Sequence, residues 1–319
     1  MAAMPIRVEI TARKKFSLAH VRPKNEELYC SVRKGKLRII YHRPWKIRHI
    51  QVASLLANAI ALLGARQLPP FCVNIADKPS DKITRSMTRF AACAVDGFAD
   101  VAAPDFVFEG WPEASFENYD AKIAEIVAAS DAVPRHDRAI WLGRVMARAR
   151  SALMAASARD PDAIEAIGTD VTYDPSSHMY RSHMMTMEEQ VRLYRYLIDV
   201  EGYGYSGRLK MLLHSGRVVL VQDRPYRDFF FDGIEPYRHY VPVARDCSDL
   251  AERIEWLRAN PSRAAEIAAE ARRFAAARLT RKAAIESWAA LLERHAAAGG
   301  NLRSGNEHLP RPVLWSPAT

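Results

Sequence analysis

The chain has 319 residues, 46 Lys and Arg against 37 Asp and Glu, 49% apolar residues and four cysteines, which excludes disorder and predicts one large or two medium domains. With 26% of residues charged and no run of about 18 apolar residues, a membrane-spanning helix is excluded as well, so a soluble protein is expected. The formal net charge of +9 asks for an anionic partner: nucleic acid, a membrane surface or a phosphorylated small molecule.

Met1 to His20 carries Arg7, Glu9, Arg13, Lys14 and Lys15, too charged for a secretory signal, and a cytosolic location is expected. Glu27 to Tyr41 alternates polar and apolar residues around Lys34-Gly35, the pattern of a β-hairpin that Pro44 ends. From Ile47 to Leu63 apolar residues recur at helical spacing, with Gly64 as the stop. A strand follows at Phe71–Ile75 and closes in the polar turn Asp77-Lys78-Pro79-Ser80-Asp81. Residues 98–119, rich in aromatics and interrupted by Pro104, Gly110 and Pro112, read as an irregular loop, and Pro134 to Arg138 as a boundary between domains.

Beyond it come a strand at Ala139–Gly143, a helical stretch, a polar stretch to His183, a helix over Met187–Tyr196 and a strand over Tyr196–Val200. Ser206–His214 reads as a short helix and Arg217–Gln222 as a strand, together a βαβ unit with parallel strands; His239–Val243 adds one strand more. Asp249, with Glu252 three residues on, suggests a capping arrangement for a helix through Ala259. Pro261 opens Ala- and Arg-rich helices broken near Thr280 and ended by Gly299-Gly300, before a loose tail of about 15 residues. Cys30, Cys72, Cys93 and Cys247 form no CxxC pair and are expected to be buried small hydrophobes.

The stretch with most chemistry is Asp199-Val200-Glu201-Gly202-Tyr203-Gly204-Tyr205-Ser206-Gly207-Arg208, a glycine-rich turn from a strand into a helix. Such a turn suits phosphate: backbone N–H groups and a helix N-terminus face the anion, and Ser206 and Arg208 add donors. Gly202, Gly204 and Gly207 also match GxGxxG, with Asp223 about twenty residues on, the pattern of an NAD-dependent oxidoreductase; too few strands follow to complete that fold. A basic nucleic-acid-binding protein is the remaining alternative, without a recognisable motif. Asp160-Pro161-Asp162 is a formal DxD metal pattern, but the proline reads as a helix start, so no metal is expected.

Tyr196–Gly202, Ser206–Leu213 and Ser215–Leu220, continued by Phe229-Phe230, Pro236-Tyr237, His239–Val243, Asp249-Leu250 and Ile254-Glu255-Trp256, resemble glycosyltransferase family 90 over residues ~70 to 275. That family includes protein O-glucosyltransferases, fungal capsule xylosyltransferases and bacterial lipopolysaccharide transferases. Pro104-Asp105-Phe106 and Gly110-Trp111-Pro112-Glu113 resemble the bacterial branch's donor-side loop, which adds Trp111 and Pro112 to the donor site. Trp141-Leu142-Gly143 with Arg150 is similar to the family's aromatic-Arg-Gly strand and following arginine. Leu142 replaces the usual basic residue, leaving Gly143, Arg150 and Arg144 as phosphate-side candidates. Asn74-Ile75-Ala76-Asp77-Lys78-Pro79 resembles the segment with the catalytic aspartate, which makes Asp77 the general base.

The resemblance implies an α/β protein of GT-B fold, two Rossmann-like domains facing a central cleft, with inverting, metal-independent transfer from a UDP-sugar, glucose or xylose, and no cofactor. The donor-binding set is then Arg150, Arg208, Ser206, Gly202, Tyr203, Gly204, Tyr205, Gly207, Gly143, Arg144, Trp111 and Pro112. Expected domains are an acceptor half over 1–135, a donor half over 136–279, and a C-terminal helix and tail over 280–319 that packs back on the first. The acceptor implied is a glycan or lipid-linked glycan, a lipopolysaccharide or capsule precursor, rather than a protein or nucleic acid. The basic residues Arg272, Arg273, Arg278, Arg281, Lys282 and Arg294 raise a peripheral contact with anionic membrane at the inner face, set against a plain solvated basic surface.

Overall fold

The computed structural model describes residues 7–12, 26–41, 47–79, 87–145, 148–169 and 185–303. Pro44, Ser80-Asp81, the end of the polar stretch before Met185 and the C-terminal tail lie outside them. The chain divides into two compact units. Unit 1 holds described residues within Met1–Asp120, Pro225–Phe229 and Thr280–Glu307; unit 2 holds those within Ala121–Arg224 and Phe230–Leu279. Each carries its own sheet, as an α/β protein of two Rossmann-like halves requires.

In unit 1, β1 (Arg7–Ala12), β2 (Glu27–Arg33), β3 (Lys36–Tyr41), β4 (Gln67–Asn74), β5 (Arg89–Ala91) and β6 (Val101–Ala102) form a sheet in the order β1-β3-β2-β4-β5-β6. The hairpin between β2 and β3 turns as read, with Lys34 at φ 51° and Gly35 at φ 70°, the two left-handed positions of a tight hairpin turn. Strand β1 had no place in the sequence reading, although Arg7-Val8-Glu9-Ile10 alternates charged and apolar residues. It pairs parallel with β3, and Glu9 binds Lys36 at 3.2 Å and Arg38 at 3.1 Å.

Helix α1 (Ile47–Leu63) has the bounds that its apolar spacing set, burying Val52, Leu55, Leu56, Ala59 and Ile60, and Gly64 at φ 65° ends it. The aromatic stretch contains only β6 and two single helical turns, Phe106–Phe108 and Pro112–Ala114. The core of unit 1 is closed from the other end of the chain by α8 (Arg281–Ala297), which packs on α1 and β4. Its Trp288 is buried, stacks edge-on to Phe90 at 5.2 Å and donates to the Pro104 carbonyl at 2.9 Å.

Unit 2 is a five-stranded, wholly parallel sheet of β7 (His136–Gly143), β8 (Ile164–Gly168), β9 (Tyr194–Asp199), β10 (Val218–Gln222) and β11 (Val241–Val243), ordered β11-β10-β9-β7-β8. Counted from β7 the order is 2-1-3-4-5, so the chain reverses its direction of travel between β7 and β9. In open α/β sheets ligands bind outside the carboxyl ends of the strands at that switch point.

Residues 134–138 are therefore no linker. Their polar side chains are paired, Asp137 with Arg195 at 3.0 Å at the surface and Arg138 with the buried Glu165 at 3.2 Å, while His136–Arg138 already belong to β7. The contact boundary falls instead in the first turn of α2 (Tyr119–Ala129), a helix hidden by the aromatic run before it. Strand β8 was hidden by Glu165, which is buried and receives the Tyr194 hydroxyl at 2.8 Å.

Helix α3 (Arg148–Arg159) joins β7 to β8. Helix α4 (Met187–Leu193) starts at a capping box of Thr186 and Glu189 and stops before Tyr194, short of the helix predicted through Tyr196. Helix α5 (Leu209–Leu212) is a single turn of four residues. Helix α6 (Leu250–Ala259) lacks the expected Asp249–Glu252 box, because the Asp249 carboxylate accepts from the Ala244 amide at 2.8 Å and from Arg253 at 2.8 Å. Helix α7 (Pro261–Arg278) opens on its proline, and α8 follows a Thr280 cap that accepts from the Ala283 amide at 3.1 Å. All four cysteines are free and buried, and among the described residues no helix is long and apolar enough to cross a membrane.

Candidate functional site

Three arginines lie at the carboxyl ends of β7, β9 and β10: Arg208 feels the charges of Arg150, Arg224 and Asp199, and Arg224 is paired with the buried Asp199. The Arg208 guanidinium donates to the Leu142 carbonyl of β7 at 2.8 Å and to the Ile198 carbonyl of β9 at 3.4 Å, bridging the switch point. Arg150, from α3, donates to the Glu201 carbonyl at 3.1 Å and the Arg144 carbonyl at 2.8 Å. Both guanidinium groups lie by the Trp141 ring, at 5.5 Å for Arg150 and 5.9 Å for Arg208. Arg224, after β10, donates to Asp199 at 2.7 Å with both side chains wholly buried.

Burial pushes Arg208 down to about 10; Arg150 and Arg224 push the same way and Asp199 opposes them. A desolvated arginine facing two more, with one neighbouring carboxylate, favours an anion. Two glycines allow the packing. A Cβ on Gly202 would lie 3.3 Å from Arg150 Nη2, and one on Gly143 would lie 2.9 Å from the Trp141 ring.

The other residues of the loop do different things from those expected. Ser206 gives its hydroxyl hydrogen to Asp199 at 2.6 Å, so it anchors the loop to β9. Gly202, Gly204 and Gly207 all avoid the left-handed backbone, and α5 is too short for a helix N-terminus to organise an anion site. The strand–glycines–helix reading of GxGxxG thus loses the geometry that gave it force. Tyr203 is exposed between Gly202 and Gly204, whereas Tyr205 is buried under the Lys210 ammonium, 5.2 Å from its ring. Arg144 points to solvent.

Asp77, Trp111 and Pro112 belong to unit 1. Asp77 follows β4 on a bend, but the turn is capped by another residue. Asn74 accepts from the Ala76 amide at 3.0 Å and donates to the Lys78 carbonyl at 2.8 Å. The Asp77 carboxylate instead accepts from Arg48 Nη1 at 3.0 Å through Oδ1. Arg48 lies 4.3 Å over the Phe106 ring, and Phe106 meets the Trp111 ring edge-on at 6.0 Å. Pro112 opens the turn after Trp111. Two segments singled out separately, 74–79 and 104–113, are thereby joined through Arg48.

Sequence reasoning missed Arg48, Asp199 and Arg224 as site residues. Asp199 stood inside the quoted motif, where its pairing with Ser206 seven residues on was the available signal; no spacing links Arg48 to Asp77 or Arg224 to Asp199. Among the described residues no group of three or more His, Cys, Asp and Glu could hold a metal ion. Asp160-Pro161-Asp162 forms the turn into β8 rather than a helix start, with Asp160 paired to Arg159 at 2.8 Å.

Truncating Arg208 or Arg150 tests anion binding directly. Arg208→Ala and Arg150→Ala should each weaken UDP binding by about 1.5–3 kcal/mol, the scale of a hydrogen bond to a charged group, measured by titration calorimetry.

Comparison with known proteins places the chain in a family. The human protein O-glucosyltransferase 3 is 27% identical over 185 residues, covering 56% of this chain and 36% of that protein. The Danio rerio protein O-glucosyltransferase 2 is 30% identical over 122 residues, 37% of this chain and 24% of that protein. The chain therefore spans about a third or less of the length of these relatives. A solved structure, Anabaena Alr3699/HepE in complex with UDP-glucose, superposes with a TM-score of 0.45 at 13% identity, covering 80% of this chain and 78% of that one. The sequence profile described as "Glycosyl transferase family 90" matches residues 48–298, well over half of the chain, and the protein belongs to that family.

Proposed function

We propose that this chain transfers a sugar from a UDP-sugar to a hydroxyl of a glycan acceptor, with inversion and without a metal. The observation that carries the reading is the desolvated Arg208 at the switch point of unit 2, with Arg150 and the Asp199-paired Arg224 close enough to act on its charge. In this reading unit 2 is the donor half and unit 1 the acceptor half.

Arg150 and Arg208 take the diphosphate, with Gly143, Arg144 and the loop Gly202, Tyr203, Gly204, Tyr205, Ser206 and Gly207 shaping its surroundings. Asp77 takes the proton from the acceptor hydroxyl as that oxygen bonds to the sugar's anomeric carbon. The bond from that carbon to the phosphate oxygen breaks, and its electron pair leaves with UDP. Positive charge fixed in advance at the phosphates stabilises the leaving group as its charge grows. Trp111 and Pro112 stand near Asp77 through Phe106 and Arg48, which suits contact with sugar.

Glucose or xylose is the sugar proposed, and a lipopolysaccharide or capsule precursor the acceptor. The four buried free thiols support a reducing compartment. Support for membrane contact is weaker. Arg273 pairs with Glu270, Lys282 with Glu286 at 3.8 Å, and Arg281 with Glu109 at 2.8 Å, so much of that basic charge is already matched.

A thermal-shift screen of UDP, UDP-glucose, UDP-xylose, NAD and single-stranded oligonucleotide tests the reading. Stabilisation by UDP and its sugars is expected; stabilisation by NAD alone or oligonucleotide alone would overturn it.

A further inference from the structure

Among the described residues the Asp77 carboxylate is held from one side only. Among the described residues Oδ1 accepts from Arg48 Nη1 at 3.0 Å, Oδ2 accepts nothing, and the side chain is 42% exposed. Local backbone does not orient the carboxylate, since the turn is tied down by Asn74. An isolated surface ion pair would leave both side chains free to swing.

Arg48 is not in that position. Its guanidinium lies 4.3 Å over the ring of Phe106, a residue only 3% exposed, and its own side chain is 25% exposed. The first turn of α1 that carries it is fixed one helical turn on, where Gln51 donates to the Gly110 carbonyl at 2.8 Å. A planar cation sandwiched against a buried ring presents its N–H edge in one direction. The carboxylate bound to that edge through Oδ1 keeps its Oδ2 without a hydrogen bond among the described residues.

We propose that Arg48, seated on Phe106, is a positioning residue for the general base. It holds Asp77 by Oδ1 and so leaves Oδ2 as the atom that receives the acceptor proton. This rests on the base role proposed for Asp77, and goes beyond it by naming what orients the base. The role is one of geometry: an oxygen misplaced by about 1 Å costs up to 10²-fold in rate.

The test uses the full chain, with acceptor turnover and UDP affinity measured on the same preparations. Arg48→Ala should lower kcat about 10- to 100-fold with KM for the UDP-sugar unchanged. Guanidinium ion at sub-denaturing concentration should restore part of the rate, and Arg48→Lys should retain more than Arg48→Ala. In an Asp77→Asn background, Arg48→Ala should cost nothing further, because the two act as a unit. Near-normal kcat for Arg48→Ala beside an inactive Asp77→Asn would overturn the positioning role alone. A loss that guanidinium does not restore, or one that adds to that of Asp77→Asn, would also overturn it. Near-normal turnover by Asp77→Asn would instead remove the base role itself.

Discussion

Asp77→Asn is expected to lower turnover by about 10²–10⁴ while UDP affinity stays within twofold, about the range that separates presence from absence of a general base. Asparagine keeps the size of the side chain, and its carbonyl oxygen still accepts from Arg48 Nη1, now 3.0 Å from Oδ1. What it loses is the second basic oxygen. A turn-capping role would predict a mild effect, since asparagine caps turns as well as aspartate does. That role is already filled by Asn74, which closes the turn through the Ala76 amide and the Lys78 carbonyl. Transfer rates and UDP binding measured on one preparation decide the matter. Near-normal transfer by the asparagine variant would take Asp77 out of the reaction.

The second large effect is on stability. Asp199 and Arg224 are both wholly buried and 2.7 Å apart, and Asp199 also receives the Ser206 hydroxyl at 2.6 Å. Asp199→Ala removes the countercharge of a buried guanidinium, and breaking one half of such a pair costs about 3–5 kcal/mol. Urea unfolding should show a free energy lowered by that amount, read as a lower midpoint with an unchanged slope. The double substitution Asp199→Leu with Arg224→Met should recover most of the loss, because two apolar side chains leave no stranded charge. UDP affinity should not recover with it, since Ser206 loses its anchor in both variants. Equal stability of Asp199→Ala and the parent chain would refute the pairing.

Those elements whose cause is local were legible in the sequence. Helix α1 carries a regular apolar stripe and a glycine stop, and Lys34-Gly35 has the backbone freedom its turn needs. Strand β8 was not, because Glu165 interrupts its apolar run, and only the folded protein supplies the Arg138 and Tyr194 groups that make its burial tolerable. Strand β1 needed a partner edge on β3 that sequence does not reveal.

The candidate site followed the same division. Gly202, Ser206 and Arg208 were found through a strand-to-helix glycine turn, yet the turn works by anchoring Ser206 on Asp199, not through a helix N-terminus. Arg150 is set by Gly202, across 51 residues of chain to the Glu201 carbonyl, and Arg48 reaches Asp77 across 29. Pairings of that span leave no spacing to read.

Unit 1 is assembled from three separate stretches of chain, and its Trp288 and His295 come from the last helix. His295 is buried between the Thr88 hydroxyl at 2.8 Å and the Pro69 carbonyl at 3.0 Å. During vectorial synthesis the strands β1 to β6 leave the ribosome long before that helix exists, so their apolar faces wait uncovered while unit 2 is made. Domains generally fold as units as they emerge. Here unit 2, whose strands are made later, has all its elements by Leu279, and unit 1, whose strands are made earlier, is the last to close. For such an order of birth, a nascent-chain chaperone matters most for the strands of unit 1, and a truncation anywhere before Trp288 leaves unit 1 open even when the cut falls in unit 2.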